Sequence, residues 1–449
     1  MPQNRLSGMA GFSLVWLGQI VSVLATNMTG FALTIWVYQL TNSAMALGMM
    51  QVFFITPFLI FSPIAGVWVD RYNRKLMMMI SDLTAGVGTI IILVIYTTGE
   101  LQLWQLYAVN ILLGLGNTFQ WPAYSAAIST MVSKEQYGRA NGMMSLVETG
   151  PAVFAPLMAG ALLPIIGLGG ILSIDVITFI FAITALLVVF VPSPVKTVQG
   201  EQSKGNIWKE AAYGFKYIFE RPGLLGLQLI FLFGNLFYGI TATLIAPLIL
   251  SRTGNDSLTL GTVMTAGAVG GVIGGVAMSI WGGFHRKVHG VLLGWILSSL
   301  CGDILLGLGR QPEVWIAAAF LAALLAMIVN PSNQAIWQAK VAPDLQGRVF
   351  SARRLIAWSA QPVAPIFAGL MADLVFEPAF QSGNPIIAPF TALFGTGPGA
   401  GMSMLIVICG LGGALVGVAG YLIPAIRNVE DVLPDHDQLE KASESLNAA

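Results

Sequence analysis

The amino-acid sequence predicts an all-α polytopic membrane protein with twelve transmembrane helices in two pseudo-symmetric six-helix bundles. The chain is 56% hydrophobic and only 9% charged, its apolar runs are long and continuous, and one polar pattern recurs in both halves. A bilayer core of about 30 Å needs about 20 apolar residues per helical span. Continuous runs favour helices, since barrel strands alternate polar and apolar residues.

Charged residues, prolines and glycines divide the apolar runs into predicted spans. If the N-terminus is cytoplasmic, 19 of the 21 Lys and Arg residues lie inside, and Arg252 and Arg310 lie outside. Since Lys and Arg in short loops mark the cytoplasmic side, we expect both termini there and the chain in the inner or plasma membrane. The predicted spans are 11–39, 44–69, 76–98, 103–130, 141–166, 169–192, 223–250, 258–282, 289–309, 313–338, 355–376 and 401–424.

An offset of 209 residues aligns the two halves. Gly138-Arg139 meets Gly347-Arg348, Trp121-Pro122 meets Asn330-Pro331, and Ala155-Pro156 meets Ala364-Pro365. Parallel repeats of this kind are typical of transporters whose substrate site lies near the membrane midplane.

Four domains follow from this repeat. The linker carries Ile207, Ala211, Phe215 and Ile218 on one helical face, which predicts an amphipathic helix on the cytoplasmic membrane surface, with a plain linker as the alternative. The chain after Arg427 is acidic, and we expect it to be disordered. The predicted domains are an N-terminal bundle (1–192), the linker (193–222), a C-terminal bundle (223–424) and an acidic cytoplasmic tail (425–449).

A charged loop joins the second and third predicted spans. Gly66, Asp70, Arg71, Arg74 and Lys75 resemble the G-x-x-x-D-R-x-x-R-[RK] signature of the major facilitator superfamily, which has the same twelve-helix layout. The resemblance implies that this motif gates the cytoplasmic side, with fixing of membrane topology as the alternative role. The matching second-half loop, 282–287, keeps the bases but has no acid.

Within that superfamily the chain is similar to a proton-driven efflux branch that includes macrolide efflux proteins and the enterobactin exporter. The similar stretches are 25–40, 134–141 and Phe219-Glu-Arg-Pro222. Gly150-Pro151 resembles an exporter motif, although Leu146 stands where that motif has a glycine.

Three acidic residues within spans are candidates for proton coupling. Glu148 lies nine residues beyond Arg139, about 13 Å into the membrane. A charged acid at a helix centre costs about 2.5–3.5 kcal/mol, so such residues tend to face a cavity; a structural hydrogen bond is the alternative. Asp82 lies about 10 Å from Lys75, where a structural role in the charge network of the loop is the favoured alternative. Asp175 and Asp303 lie near the outer side, where we expect an interfacial or helix-pairing role, with Asp303 as a reserve candidate for proton coupling.

The resemblance implies that spans one, four, seven and ten line the substrate cavity. Their polar and aromatic side chains are uncharged, which suits an amphiphilic or apolar organic compound. The alternative is that the amides hold helices together. These residues are Gln19, Asn27, Asn117, Gln120, Trp121, Asn235, Tyr238, Asn330, Asn333, Gln334 and Trp337.

Several functions lack their motifs in this sequence. There is no phosphate-binding G-x-x-x-x-G-K-[ST] loop, no nucleophilic triad and no metal-ligand spacing. We therefore expect no enzyme activity, no cofactor, no metal and no nucleic-acid partner.

The sequence predicts a monomeric secondary transporter in the lipid bilayer that exports small hydrophobic or amphiphilic compounds (drug, macrolide or siderophore-like) in exchange for protons. An uptake symporter of a small organic solute and a non-transporting scaffold or sensor are the alternatives.

Overall fold

The computed structural model describes residues 8–71, 73–132, 137–191, 214–341, 343–382 and 387–434. Within these ranges every regular element is a helix. The first five are α1 (Gly8–Thr41), α2 (Ala44–Arg71), α3 (Arg74–Thr98), α4 (Leu103–Met131) and α5 (Tyr137–Val188).

The later helices include two π-helical segments, Ser299–Ile304 and Ala372–Phe376, and a 3-10 turn, Ala388–Phe390. The long ones are α6 (Pro222–Thr253), α7 (Ser257–Trp281), α8 (Lys287–Ser298), α10 (Pro312–Lys340), α11 (Pro343–Trp358) and α15 (Ala400–Leu422). The short ones are α9 (Leu305–Leu308), α12 (Val363–Met371), α13 (Glu377–Gln381), α14 (Thr391–Phe394), α16 (Pro424–Arg427) and α17 (Val429–Val432).

The all-α polytopic membrane fold is confirmed, and ten helical segments of the described ranges are long and apolar enough to cross a bilayer. The segment 149–188 accounts for most of two predicted spans, because Gly167 interrupts α5 with φ 66° and ψ 179°. The fourth predicted span coincides with α4, which is not among the ten. A count of twelve spans stays a prediction.

The chain forms two compact units. The first unit contains residues 1–196 and 246–265, and the second contains 197–245 and 266–449. The predicted domain boundaries stay a prediction.

In the first unit, glycines allow helices to approach closely. α1 packs along α5, and α4 packs against α2 and α3. A Cβ atom added at Gly114 of α4 would lie 2.1 Å from the carbonyl oxygen of Phe54 in α2. Small residues support this kind of packing in membranes, where lipid supplies no hydrophobic drive between helices.

In the second unit, α8, α10 and α15 pack together around a buried core. The described part of the linker, 214–219, is helical and joins this core. Ile218 is fully buried there, and the hydroxyl of Tyr217 donates to the carbonyl of Lys340 at 3.1 Å.

The prediction of disorder after Arg427 is wrong for residues 428–434. These residues continue into α17, and Val429 is fully buried in the core of the second unit. An apolar residue with a partner surface stabilises a segment that its overall acidity would leave unfolded. Residues 435–449 lie outside the described ranges.

The tail supplies acids to the loop between α7 and α8. The Glu430 carboxylate accepts the backbone N–H groups of Lys287 at 3.1 Å and Val288 at 2.8 Å, which begin α8. Asp431 forms an ion pair with Arg286. The Nζ of Lys340, at the end of α10, donates to the Glu430 carbonyl at 2.6 Å. One base of the second-half loop, Arg286, therefore has an acidic partner from the end of the unit, whereas the Nζ of Lys287 donates to the carbonyl of Gly282.

We predict that Glu430→Ala destabilises the protein by about 1–2 kcal/mol, because the first-turn N–H groups of α8 lose their cap. Asp431→Ala is the matched control, and loss of its exposed ion pair costs about 0–1 kcal/mol. Thermal unfolding in detergent and hydrogen exchange at residues 287–292 measure both effects. Equal effects of the two variants would contradict the assignment of the cap.

Candidate functional site

A buried carboxyl group lies among amides inside the first unit. Asp82 of α3 is 6% exposed. Gln19 of α1 donates to it from Nε2 at 2.7 Å. The Nε2 of Gln120 in α4 lies 3.5 Å from Asp82 and 3.4 Å from the Oε1 of Gln19, at the limit for hydrogen bonds. We call Asp82, Gln19, Gln120 and Tyr124 the inner cluster.

Tyr124 completes the inner cluster. It lies one turn after Gln120 on α4 and is buried beside Asp82 and Gln19. Its hydroxyl faces Gln19 and Asp82 outside strict hydrogen-bond geometry. A hydroxyl next to a carboxyl group can donate a hydrogen bond to it or accept one from it.

Close helix packing positions these side chains. Ser81 donates to the carbonyl of Gly116 at 2.9 Å, which ties α3 to α4 next to Asp82. A Cβ atom at Gly116 would collide with the hydroxyl of Thr84 at 1.7 Å, so only glycine permits the approach. Gln120 follows one turn later on α4 and therefore faces Asp82.

The inner cluster is suited to a carboxyl group that gains and loses a proton. Asp82 has no ion pair with any basic side chain that the structure describes. A glutamine amide carries both donors and an acceptor, so Gln19 and Gln120 can bond a carboxylate or, after rotation, a carboxylic acid. Acids inside a membrane typically mark ion or proton pathways.

Of the other two predicted proton-coupling acids, only Asp303 has a side chain that the structure describes. Glu148 lies in α5, but its side chain is outside the described part of the structure. Asp303 lies in the π-helical segment Ser299–Ile304 of the second unit, and is half-buried near Ser299, Tyr238 and Cys409. Single π-helical turns occur frequently at functional sites.

The predicted gate motif is described only in part. Gly66, Asp70 and Arg71 lie in α2 and Arg74 begins α3, but their side chains are outside the described part. The Nζ of Lys75 donates to the carbonyls of Leu187 at 3.0 Å and Val189 at 2.7 Å. A lysine there complements the carbonyl end of α5.

Among the predicted cavity residues of the first unit, Gln19 and Gln120 meet in the inner cluster. Asn27 is exposed, and its Nδ2 donates to the carbonyl of Val23 one turn earlier at 2.8 Å. Asn117 is half-buried, and the side chain of Trp121 is outside the described part.

The predicted cavity residues of the second unit divide into exposed and paired groups. Tyr238 is 53% exposed and Asn330 is also exposed. Asn235 donates to the carbonyl of Ala357 at 3.1 Å. Trp337 is fully buried and donates from Nε1 to Asn333 at 2.9 Å, so neither offers much surface to a ligand in this conformation.

Sequence reasoning missed Arg353, which lies on α11 beside this group. Its Nη2 donates to Gln334 at 2.8 Å, and its guanidinium lies 5.3 Å from the ring centroid of Trp337. Arg353 precedes the predicted eleventh span by two residues, so its position in the sequence is that of a loop base. The helix α11 begins at Pro343, twelve residues earlier than the predicted span, so Arg353 is helical and contacts α10.

The chain is similar in sequence to one known family and to named proteins. The model of the Major Facilitator Superfamily matches residues 15–365. Macrolide efflux protein A of Streptococcus pyogenes is 26% identical over 372 residues, which are 81% of this chain and 90% of that protein. Enterobactin exporter EntS of Escherichia coli O81 (strain ED1a) is 22% identical, over 78% of this chain and 82% of that protein.

Solved structures show the same fold. A bacterial homolog to human lysosomal transporter Spinster, inward-facing and unoccupied, has a TM-score of 0.71 at 17% identity, over 94% of this chain and 98% of that chain. A bacterial homologue of iron transporter ferroportin, inward-facing, has a TM-score of 0.65 at 13% identity, over 92% and 99%.

We predict that Gln19→Met destabilises the protein by about 1–3 kcal/mol, because Asp82 loses its shortest hydrogen bond and stays buried. Methionine keeps the volume of glutamine. Gln120→Met is the matched control and should cost less, since its contact is 3.5 Å long. Thermal unfolding in detergent measures both variants. The opposite order would show that Gln120 is the main partner of Asp82.

Proposed function

Because the chain belongs to the Major Facilitator Superfamily, a family of membrane transporters, we propose that it exports small hydrophobic or amphiphilic compounds in exchange for protons. Export would proceed by alternating access, with a substrate site near the midplane. We propose that it acts as a monomer in the cell membrane and performs no chemical conversion of its substrate.

The direction of transport is proposed from the relatives. The macrolide efflux protein and the enterobactin exporter both have names that state outward transport, and each aligns with more than three quarters of this chain. Their two named substrates are chemically different. We therefore propose a class of substrate, small hydrophobic or amphiphilic organic compounds, and no individual compound.

The observation that carries proton coupling is the inner cluster. A secondary transporter that exchanges protons needs a side chain that binds a proton within the membrane. Acidic side chains there are energetically costly, and those that occur typically mark ion or proton pathways. Asp82 is buried with amide partners and no described basic partner. Glu148 and Asp303 remain the other proposed proton carriers.

The proposed substrate site uses the uncharged polar side chains. Asn27, Tyr238 and Asn330 are exposed, which leaves them available to a ligand. Aromatic rings and amides bind amphiphilic molecules through contact area and a few hydrogen bonds. Gln334, held by Arg353, is proposed to contribute from the second unit.

We predict that Asp82→Asn abolishes transport driven by a pH gradient in inside-out vesicles, because asparagine cannot take up a proton. Glu148→Gln is tested in parallel. If a variant still shows transport driven by the pH gradient, the residue that it replaces is not the proton carrier. Accumulation of a fluorescent lipophilic compound, with and without a protonophore, measures this. Wild-type accumulation that survives the protonophore would refute proton-driven export, and flux that follows protons in the same direction would favour the uptake symporter.

We predict that Asp70→Asn lowers transport at least about tenfold while the yield of folded protein stays the same, because a gate acid pairs with its partners through charge. Flux per folded molecule is the measurement, and Asp431→Asn serves as an acid-to-amide control outside the motif. Absence of transport by the wild-type protein, together with no effect of Asp70→Asn on the yield of folded protein, would favour the scaffold or sensor.

A further inference from the structure

The first unit contains a second buried acid that the proposed mechanism does not yet use. Asp175 of α5 is 2% exposed and lies eight residues after Gly167, about 12 Å along the helix. Its carboxylate accepts the hydroxyl of Thr26 from α1 and that of Thr89 from α3, each at 2.9 Å. We call Asp175, Thr26, Thr29 and Thr89 the outer cluster.

Thr29 adds a third hydroxyl to the outer cluster. It is buried on α1 next to Asp175 and is directed at that carboxyl group as a weaker donor, outside strict hydrogen-bond geometry. Asp175 has no ion pair with a described basic side chain. A carboxyl group with three hydroxyls and no countercharge is an arrangement that can accept a proton.

The two clusters have the same helical register. Gln19 and Thr26 are seven residues apart on α1, and Asp82 and Thr89 are seven residues apart on α3. Seven residues are about two turns, so both pairs stay on one helical face with a separation of about 10.5 Å. On α5 the same step leads from Asp175 to Ala182, whose Cα lies 3.1 Å from a Cβ atom built at Gly18. The clusters therefore form two levels of one packing arrangement.

The region between the inner cluster and the outer cluster is lined differently by α3 and by α1. On α3, the ring of Phe179 covers Gly86, where an added Cβ atom would lie 2.3 Å from it. On α1, the half-buried Ser22 lies three residues after Gln19 and four before Thr26, which places its hydroxyl between the levels on the same face. One side is closed by an aromatic ring and the other carries a hydroxyl.

We propose that Asp175 and Asp82 are two stations of a proton path through the first unit, joined along α1 by Thr26 and Ser22 and closed on the α3 side by the ring of Phe179. The path rests on the proposed proton-coupled export. It adds Asp175, Ser22 and Phe179 to the functional residues of the first unit.

The transfer changes only O–H bonds. A proton from outside protonates the Asp175 carboxylate, and its transfer inward leaves Asp175 ionised again. Each hydroxyl on the way accepts one proton and releases its own, and the Asp82 carboxylate receives the last. A gap of about 10.5 Å exceeds one hydrogen bond, so water must join the hydroxyls. Apolar constrictions exclude water, and Phe179 would thus prevent an uncoupled leak.

The described groups that face the two acids are few. The titratable or polar groups from α1, α3, α4 and α5 are the three threonines at Asp175, and Gln19, Gln120 and Tyr124 at Asp82. A carboxylate with hydroxyls is also the ligand set of a sodium site, so the experiment must distinguish protons from sodium.

The experiment measures proton flux with a pH dye inside proteoliposomes, with and without a lipophilic substrate. Asp175→Asn and Ser22→Ala should lower substrate-driven proton flux at least about tenfold. Ser22→Thr, which restores a hydroxyl, should recover most of it. Ser173→Ala is the matched control, since its hydroxyl is bonded to the carbonyl of Gly169 within α5. Circular dichroism and substrate binding verify that each variant is folded.

Phe179→Ala should have the opposite effect, a proton leak without substrate, and Phe181→Ala, an exposed ring two residues away, is its control. Normal coupled flux in Asp175→Asn and Ser22→Ala, with wild type still driven by a pH gradient, would overturn the path and leave proton-coupled export standing. Wild-type flux driven by a sodium gradient would overturn it in favour of a sodium site. Wild-type flux that ignores both gradients would refute the proposed function itself.

Discussion

The interaction on which the first unit depends is the bond between a buried carboxyl group and uncharged donors. A bilayer core offers no water to a polar side chain, so each acid must find its hydrogen bonds on neighbouring helices. Asp82 takes them from amides on α1 and α4, and Asp175 takes them from threonines on α1 and α3. The glycine contacts follow from this requirement, because the donors reach the acids only where the helices lie close together.

The second unit handles charge differently. Its described ion pairs lie in the linker and between the α7–α8 loop and the tail, and Lys340 donates to the carbonyls of Glu430 and Leu433. A further acid, Glu377, caps the start of α15 by accepting the backbone N–H groups of Gly399 and Met402. Asp303 and Asp373 lie within its spans, each in a π-helical segment. The similarity of the two halves in sequence therefore does not extend to their charges. We interpret this as a difference in roles, with the path from Asp175 to Asp82 in the first unit and Asp303 as the alternative proton carrier in the second.

The fold could be predicted from the sequence to a large extent because hydropathy and chain punctuation are local properties. The break in α5 falls at Gly167, between the predicted fifth and sixth spans. The partners of the buried acids could not be predicted in this way. Gln19 and Asp82 are 63 residues apart, and only helix packing decides which faces meet. The threonines that bond Asp175 are unremarkable in sequence. The acidity of the tail outweighs its few apolar residues, of which Val429 is fully buried and Leu433 packs against the same core.

The position of Glu430 affects the order in which this protein can be completed during synthesis. The first turn of α8 is made 143 residues before the carboxylate that caps it. Ribosomes add about 5–20 residues per second, so α8 waits roughly 7–30 s for its cap. During that interval the nascent second unit has an unpaired Arg286 and free amides at the start of α8. A chain that ended at Val429 would keep every described membrane span and still lack this cap.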